Sequence, residues 1–225
     1  MIIAIDGPAG SGKSTVAKKI AELLGFRYLD SGAMYRAFTW KAKNTRFDFH
    51  DKEGLCKLLN ETNIKIKCSN GALEIFVDDV NVTNEIRHSS ITKNVHYVST
   101  LEFVRKKMVE LQRDFARGKN IVAEGRDMGT VVFPDADKKI YLDADIKERA
   151  KRRHSELKDF NDNSNLNKVI EDIKQRDHRD STREFAPLKR VHNAFYLDTT
   201  NMTIEEVVNI LIKEIKKNSK KTSRD

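Results

Sequence analysis

The chain has only two cysteines, three prolines and one tryptophan in 225 residues. Cys56 and Cys68 stand apart with no CxxC pair or His/Cys cluster, which excludes a disulfide scaffold and offers no zinc-site pattern. No stretch approaches the roughly 18 consecutive apolar residues of a membrane span, and charged residues make up 34% of the chain. A soluble, cytoplasmic protein with no membrane association is expected. Residues 2–6 read as a buried strand running straight into a glycine loop, which leaves no room for a cleavable signal peptide at this start. With 39% hydrophobic residues, the length suits one main domain with an insertion and excludes a disordered chain.

Acidic charge is in deficit, 34 residues against 42 basic ones, for a net charge of +8. Such an excess first suggests a polyanion partner, but its placement matters more than its total. Residues 213–225 hold six Lys/Arg against Glu214 and Asp225, and residues 147–190 hold thirteen Lys/Arg against nine Asp/Glu. No RNP-like aromatic run or other nucleic-acid module accompanies them, so no specific nucleic acid is expected.

Ile2-Ile3-Ala4-Ile5 is short, branched and unalternating, as a central parallel strand should be. Val16, Ile20, Leu23 and Leu24 then fall at helical spacing, and Gly25 is placed to stop the helix. Strand-like runs recur at 26–29, 120–123, 139–142 and 194–197, separated by helical patterns. The expected fold is therefore α/β, a five-stranded parallel sheet covered by helices on both faces. Residues 64–67 and 73–77 alternate with period two around Ser69-Asn70-Gly71, a hairpin signature, and Val80-Asn81-Val82-Thr83 supplies a third run. A small antiparallel sheet is thus expected as an insertion. Residues 155–167 are polar and Asn/Asp-rich with little to bury, which suits a flap.

Gly7-Pro8-Ala9-Gly10-Ser11-Gly12-Lys13-Ser14 matches G-x-x-x-x-G-K-[ST] between an expected strand and an expected helix. In such a P-loop the glycines let successive N–H groups turn inward onto phosphate oxygens, and the helix N-terminus adds positive charge. Lys13 is expected to reach the β/γ-phosphates, facing solvent until nucleotide arrives, and Ser14 to ligate Mg²⁺. The motif alone leaves GTPase, motor ATPase and small-molecule kinase open. No N-K-x-D is present, and Asp127-Met128-Gly129 lacks the D-x-x-G spacing of a switch, which argues against a GTPase.

Phosphoryl transfer needs positive charge around the transferring group, which arginine supplies as a bidentate fork. Arginines stand in Asp30-Ser31-Gly32-Ala33-Met34-Tyr35-Arg36, in Glu124-Gly125-Arg126-Asp127-Met128-Gly129-Thr130 and in Arg176-Asp177-His178-Arg179-Asp180-Ser181-Thr182-Arg183. Together with the P-loop, the run from Gly125 to Ala136 and the run from Arg176 to Leu188, they make the chain closely resemble the bacterial cytidylate kinases over nearly its whole length. These belong to the nucleoside monophosphate kinase branch of P-loop proteins.

The resemblance implies transfer of the γ-phosphoryl group of ATP to CMP and dCMP, assisted by Mg²⁺, by a monomeric enzyme. It implies donor-nucleotide contacts from Gly7 through Ser14, and Thr15 and Arg149 are added to them. Ser31, Arg36, Arg126 and Arg183 match positions that hold the acceptor phosphate, Arg176 and Asp180 those at the ribose, and Arg105 and Asp127 the cytosine readers. Lys13, Arg126 and Arg183 would be the catalytic charges. Where the family usually carries Asp before Gly-Arg-Asp, this chain has Glu124, expected beside Ser14 to organise the metal through water. Where the family commonly offers cytosine a serine, the register places His96. The implied organisation is a core at about 1–34, 95–150 and 170–215, a monophosphate-binding insertion at 35–94, a lid at 151–169 and a basic tail at 213–225.

Structural alternatives accompany these roles. Asp127 can be an ion-pair partner of Arg126 or Arg105, and Arg179 with Arg183, or Arg152 with Arg153, can form solvated helix faces. The rival functions are a P-loop kinase for another small acceptor, and a basic RNA-associated nucleotide sensor.

Overall fold

The computed structural model describes residues 1–69, 72–158 and 165–217. The hairpin tip at 70–71, the middle of the expected flap at 159–164 and the tail beyond residue 217 lie outside the described residues. Five strands form one parallel sheet: β1 (Ile2–Asp6), β2 (Arg27–Asp30), β6 (Ile121–Gly125), β7 (Lys138–Asp143) and β8 (Phe195–Asp198). Their order across the sheet is β2-β6-β1-β7-β8. Central β1 pairs with β6 from Ile2↔Ile121 to Asp6↔Gly125 and with β7 from Ile3↔Lys138 to Asp6↔Tyr141. The insertion supplies β3 (Ile64–Ser69), β4 (Ala72–Val77) and β5 (Val80–Asn81), a three-stranded antiparallel sheet.

The period-two geometry of a strand sends neighbouring side chains to opposite faces. Ala4 and Ala123 therefore join one apolar cluster, with Leu29, Met34 and Phe38, while Ile3, Ile5, Val122 and Leu142 join another, with Val16, Ile20 and Leu211. At β1 and β6 both faces are buried, which is why these strands read as apolar runs without alternation, whereas edge strand β8 alternates partly buried and exposed residues. Helices α1 (Lys13–Leu24) and α9 (Ile204–Lys216) cover the second face. Gly25, at φ 65°, ends α1 in the left-handed conformation anticipated for it. The other face is covered by α2 (Ser31–Asn44), α3 (Lys52–Glu61) and α6 (Glu102–Ala116), with short α4 (Ser89–Thr92) and α5 (Val95–Ser99) between the last two.

The insertion has no separate core, because Ile64, Ile75, Val77 and Val82 pack in the cluster that holds Leu29 and Phe38. Helix α2 runs without a break through 34/35, and α8 (Leu166–Thr182) through 169/170. The flap expected to bury little does bury its described ends. Leu157, near the end of α7 (Ile146–Lys158), and Leu166 pack against Ala150, Val169 and Ile173, since both lie on the mutual face of an α7/α8 pair.

Candidate active site

All five sheet strands are parallel, so the loops after β1, β2 and β6 emerge at one edge, the place where open α/β sheets bind ligands. The loop after β1 is the glycine motif. Gly7 sits at φ 152°, and a Cβ there would fall 2.0 Å from the Leu142 carbonyl oxygen, so only glycine lets the loop pass β7 this closely. Lys13 opens α1 and corrects the sequence reading. It is 5% exposed and donates to the Pro8 carbonyl oxygen at 2.6 Å and to Ser11 Oγ at 3.2 Å. The loop curls over its own lysine and supplies the acceptors that phosphate oxygens would otherwise supply. Burial, then the Arg126 charge, pulls its pKa down to about 7.

Beside it, Ser14 Oγ donates to Glu124 Oε1 at 2.6 Å, and Tyr28 Oη to the same oxygen at 3.3 Å. Glu124 is the penultimate residue of β6, and burial followed by the nearby Asp30 charge raises its pKa. Ser14 and Thr15, in the first turn of α1, stay exposed. Asp6, at the end of β1, accepts the N–H groups of Met128 and Gly129 at 2.8 Å each and so orients the turn that carries Arg126 and Asp127. Its pKa is raised to about 6 by burial, against the two N–H groups that lower it. The turn continues as a single π-helical turn over Met128–Val132.

The arginines converge from three elements. Asp30 caps α2 by accepting the Ala33 N–H at 2.9 Å and also pairs with Arg36 at 2.8 Å. Burial works to raise its pKa, but the Arg36 charge and the Ala33 N–H outweigh it and lower the carboxyl. Ser31 is buried at the first position of the same helix. From the β6 turn, Arg126 Nε donates to Asp180 Oδ2 at 2.8 Å.

Arg176, Asp180 and Arg183 follow one another at i, i+4 and i+7 on α8 or its end, which puts them on one stripe. Arg176 has no hydrogen-bond or ion-pair partner among the described residues. Burial and then the Arg126 charge lower its pKa to about 10. Arg183 donates from Nε to the Ala186 carbonyl oxygen at 2.7 Å, and burial and the Arg105 charge lower its pKa. The Arg126 charge thus pulls down Lys13 and Arg176, and the Arg105 charge pulls down Arg183, which concentrates positive charge in one partly dry cleft.

Deepest lie Arg105 and Asp127, 1% and 2% exposed, joined by Nη2 to Oδ2 at 2.5 Å. The Arg105 guanidinium also donates to the Ser99 carbonyl oxygen at 3.0 Å and lies 5.2 Å over the Tyr35 ring. Of the two pairings considered for Asp127, the structure has the one with Arg105; Arg126 takes Asp180 instead. Arg105 Nε and Arg183 Nη2 are buried donors without a hydrogen-bond partner among the described residues, so this end of the cleft retains unused donors. Next to Arg183, Phe49, His96, Tyr97 and Leu101 line a cavity of about 460 Å³. His96 Nδ1 lies 2.8 Å from the Lys93 carbonyl oxygen, with its ring 4.0 Å from that of Tyr97.

Of the pairs read as solvated faces, only part is. Arg179 is exposed, but the Arg183 side chain is buried because the chain turns inward after α8. Arg152 holds Thr199 through both its hydroxyl, at 3.0 Å, and its carbonyl oxygen, at 2.7 Å. Among the described residues Arg153 pairs with Glu156 alone, one turn on. Arg149 is buried against the P-loop and donates to the Ala9 carbonyl oxygen at 3.0 Å. Sequence reasoning assigned no role to Asp6, Asp30, Tyr35 or Asp177. Asp30 and Asp177 each stand inside a motif that was recognised, a signal that marks the segment without saying which carboxylate turns inward.

The family model described as cytidylate kinase matches residues 3–217. The cytidylate kinase of Shouchella clausii is 44% identical over 218 residues, 97% of each chain. That of Geobacillus kaustophilus is 47% identical over 206 residues, 92% of each chain. Among solved structures, an uncharacterized protein from Eubacterium ventriosum superimposes with TM-score 0.51 at 14% identity, covering 96% of this chain and 98% of its own, a likeness of fold alone.

Proposed function

The chain belongs to the cytidylate kinase family, and on that footing we propose that it transfers the γ-phosphoryl group of ATP to CMP or dCMP, releasing ADP and CDP or dCDP. The observation that carries this reading is the convergence of Lys13, Arg126, Arg176 and Arg183, with the Arg126 charge pulling down both Lys13 and Arg176, between a phosphate loop and the buried Arg105–Asp127 pair. Phosphoryl transfer asks for little covalent chemistry and much preorganised positive charge. In this reading the N–H groups of Gly7 to Ser14 and the Lys13 ammonium hold the donor phosphates. Arg36, Arg126 and Arg183, with Ser31, hold the acceptor phosphate, and Arg176 and Asp180 the ribose. Arg105 and Asp127 face the base.

No general base is required, because the acceptor oxygen belongs to a phosphate monoester whose second pKa is about 6. His96 therefore serves no proton transfer in this reading. The Ser14 hydroxyl and Glu124 carboxylate, in mutual contact, form an oxygen donor set that fits Mg²⁺, with Glu124 reaching it through water. Bound there, the ion would neutralise charge on the β- and γ-phosphate oxygens. Residues 151–169 are proposed as the lid that keeps water, a competing acceptor, from the γ-phosphate, and residues 35–94 as the monophosphate-binding insertion. No described helix is long and apolar enough to cross a membrane. We take the enzyme as a monomer of the reducing cytoplasm, in keeping with two free thiols.

The test is direct: protein, ATP and Mg²⁺ offered CMP, dCMP, UMP, AMP and GMP in parallel, with ADP release measured. CMP and dCMP should be turned over fastest, and a preference for AMP or GMP would refute the reading. Glu124→Gln keeps the shape and removes the charge, so the Mg²⁺ concentration for half-maximal turnover should rise about tenfold. An unchanged Mg²⁺ titration would remove Glu124 from the metal site.

A further inference from the structure

Helix α8 presents two different faces one residue apart. Arg176, Asp180 and Arg183 line the acceptor side of the cleft, whereas Asp177 turns to the phosphate loop. Asp177 Oδ1 accepts the Ala9 N–H at 3.0 Å, and Oδ2 pairs with Arg149. Arg149, on α7, donates in turn to the Ala9 carbonyl oxygen at 3.0 Å and to the Ala144 carbonyl oxygen at 2.9 Å. The fit is close, since a Cβ on Gly10 would lie 2.7 Å from the Arg149 carbonyl oxygen. Ala9 is thus held at its N–H and at its C=O by side chains from two helices, one of which carries the acceptor-side arginines.

A carboxylate beside a loop that receives a polyanion repels it, and a neutral residue would favour ATP binding at least as well. Affinity for ATP therefore gives no reason for Asp177, whereas geometry does. Reaction depends on the attacking oxygen lying near 3 to 3.5 Å from phosphorus, and a misplacement of about 1 Å costs about 100-fold. In the proposed reading donor phosphates are seated by the P-loop and acceptor phosphate largely by arginines on α8 and the β6 turn; Asp177 is a side chain of α8 that hydrogen-bonds to the loop itself. We propose that Asp177 is a positioning residue, a strut of set length between the phosphate loop and the acceptor-side arginines, whose charge Arg149 neutralises. The inference rests on the reading of this cleft as the place where ATP meets CMP.

Asp177→Glu keeps the charge and lengthens the arm by one methylene, while Asp177→Asn keeps the length and the Ala9 contact but loses the charge facing Arg149. Both are assayed in the full-length protein for CDP formation, for ATP hydrolysis without CMP and for thermal midpoint. In Asp177→Glu, kcat should fall about tenfold or more, with KM for ATP and for CMP within about threefold of wild type. The ATP lost to water per CDP formed should rise. The Asn variant should lose less. A kcat within about threefold of wild type in Asp177→Glu, or a loss that appears only in KM, overturns the strut and leaves a structural brace. If Asp177→Glu does not fold, the same readings on Asp177→Ala, which removes the arm and its Ala9 contact, decide. Wild-type protein that forms no CDP would instead refute the proposed function.

Discussion

Turnover in a Lys13→Ala variant is expected to fall about 100- to 1000-fold at saturating ATP and CMP, the cost of removing one preorganised charge from a developing transition state. The fold should survive. In the nucleotide-free protein the ammonium makes two hydrogen bonds within its own loop, to Pro8 and Ser11, and those acceptors can turn to water or phosphate when it is gone. A variant that keeps more than half of wild-type turnover would refute the P-loop assignment.

The buried state of Lys13 adds a measurable proton. With its pKa lowered to about 7, largely by burial and then by Arg126, free Lys13 is mostly neutral at pH 8. Polyphosphate charge favours the ammonium, so the pKa rises in the complex and ATP binding takes up a proton. At pH 6 the lysine is already charged and its contribution to the uptake should vanish. Calorimetric titrations in buffers of different ionisation enthalpy read this directly. Uptake near pH 8 that persists in Lys13→Ala would assign the proton to another group.

The ratio of kcat/KM for CMP over UMP should fall in Asp127→Asn by about 5- to 150-fold, which corresponds to one buried unpaired group at 1–3 kcal/mol. Cytosine offers an amino donor where uracil offers a carbonyl acceptor, and an ionised carboxylate can only accept. An amide can turn either way, so it loses the discrimination. The structure sharpens the test, because Asp127 already accepts from Arg105 and both are almost fully buried. Its Oδ1 stands 3.8 Å from Arg183, beyond hydrogen-bonding distance, and so retains capacity for a base. Removing the carboxylate leaves the Arg105 charge unpaired, and Asp127→Ala should therefore cost about 3–5 kcal/mol of stability in urea unfolding. An unchanged CMP/UMP ratio in an active Asp127→Asn variant would make the Arg105 pair the whole purpose of Asp127.

The sequence by itself determined what is local. The branched run before Gly7, the glycine spacing up to Ser14 and the stop at Gly25 each specify backbone over a few residues, and the strand, loop and helix appear there. Period-two alternation likewise placed β3 and β4, and apolar runs placed the five parallel strands, because pleat and burial act on neighbouring residues. The arginine-rich motifs marked the segments that line the cleft. Only the tertiary structure decided which groups meet. Asp6 holds N–H groups 122 and 123 residues away, and Asp177 holds one 168 residues away. Asp127 takes Arg105 and leaves Arg126 to Asp180. Those choices follow from the order β2-β6-β1-β7-β8, which brings chain-distant strand ends to one edge of the sheet. The burial of Lys13 is likewise a property of the assembled cleft: a motif specifies that a lysine stands at the loop, but the desolvation that lowers its pKa comes from everything packed around it.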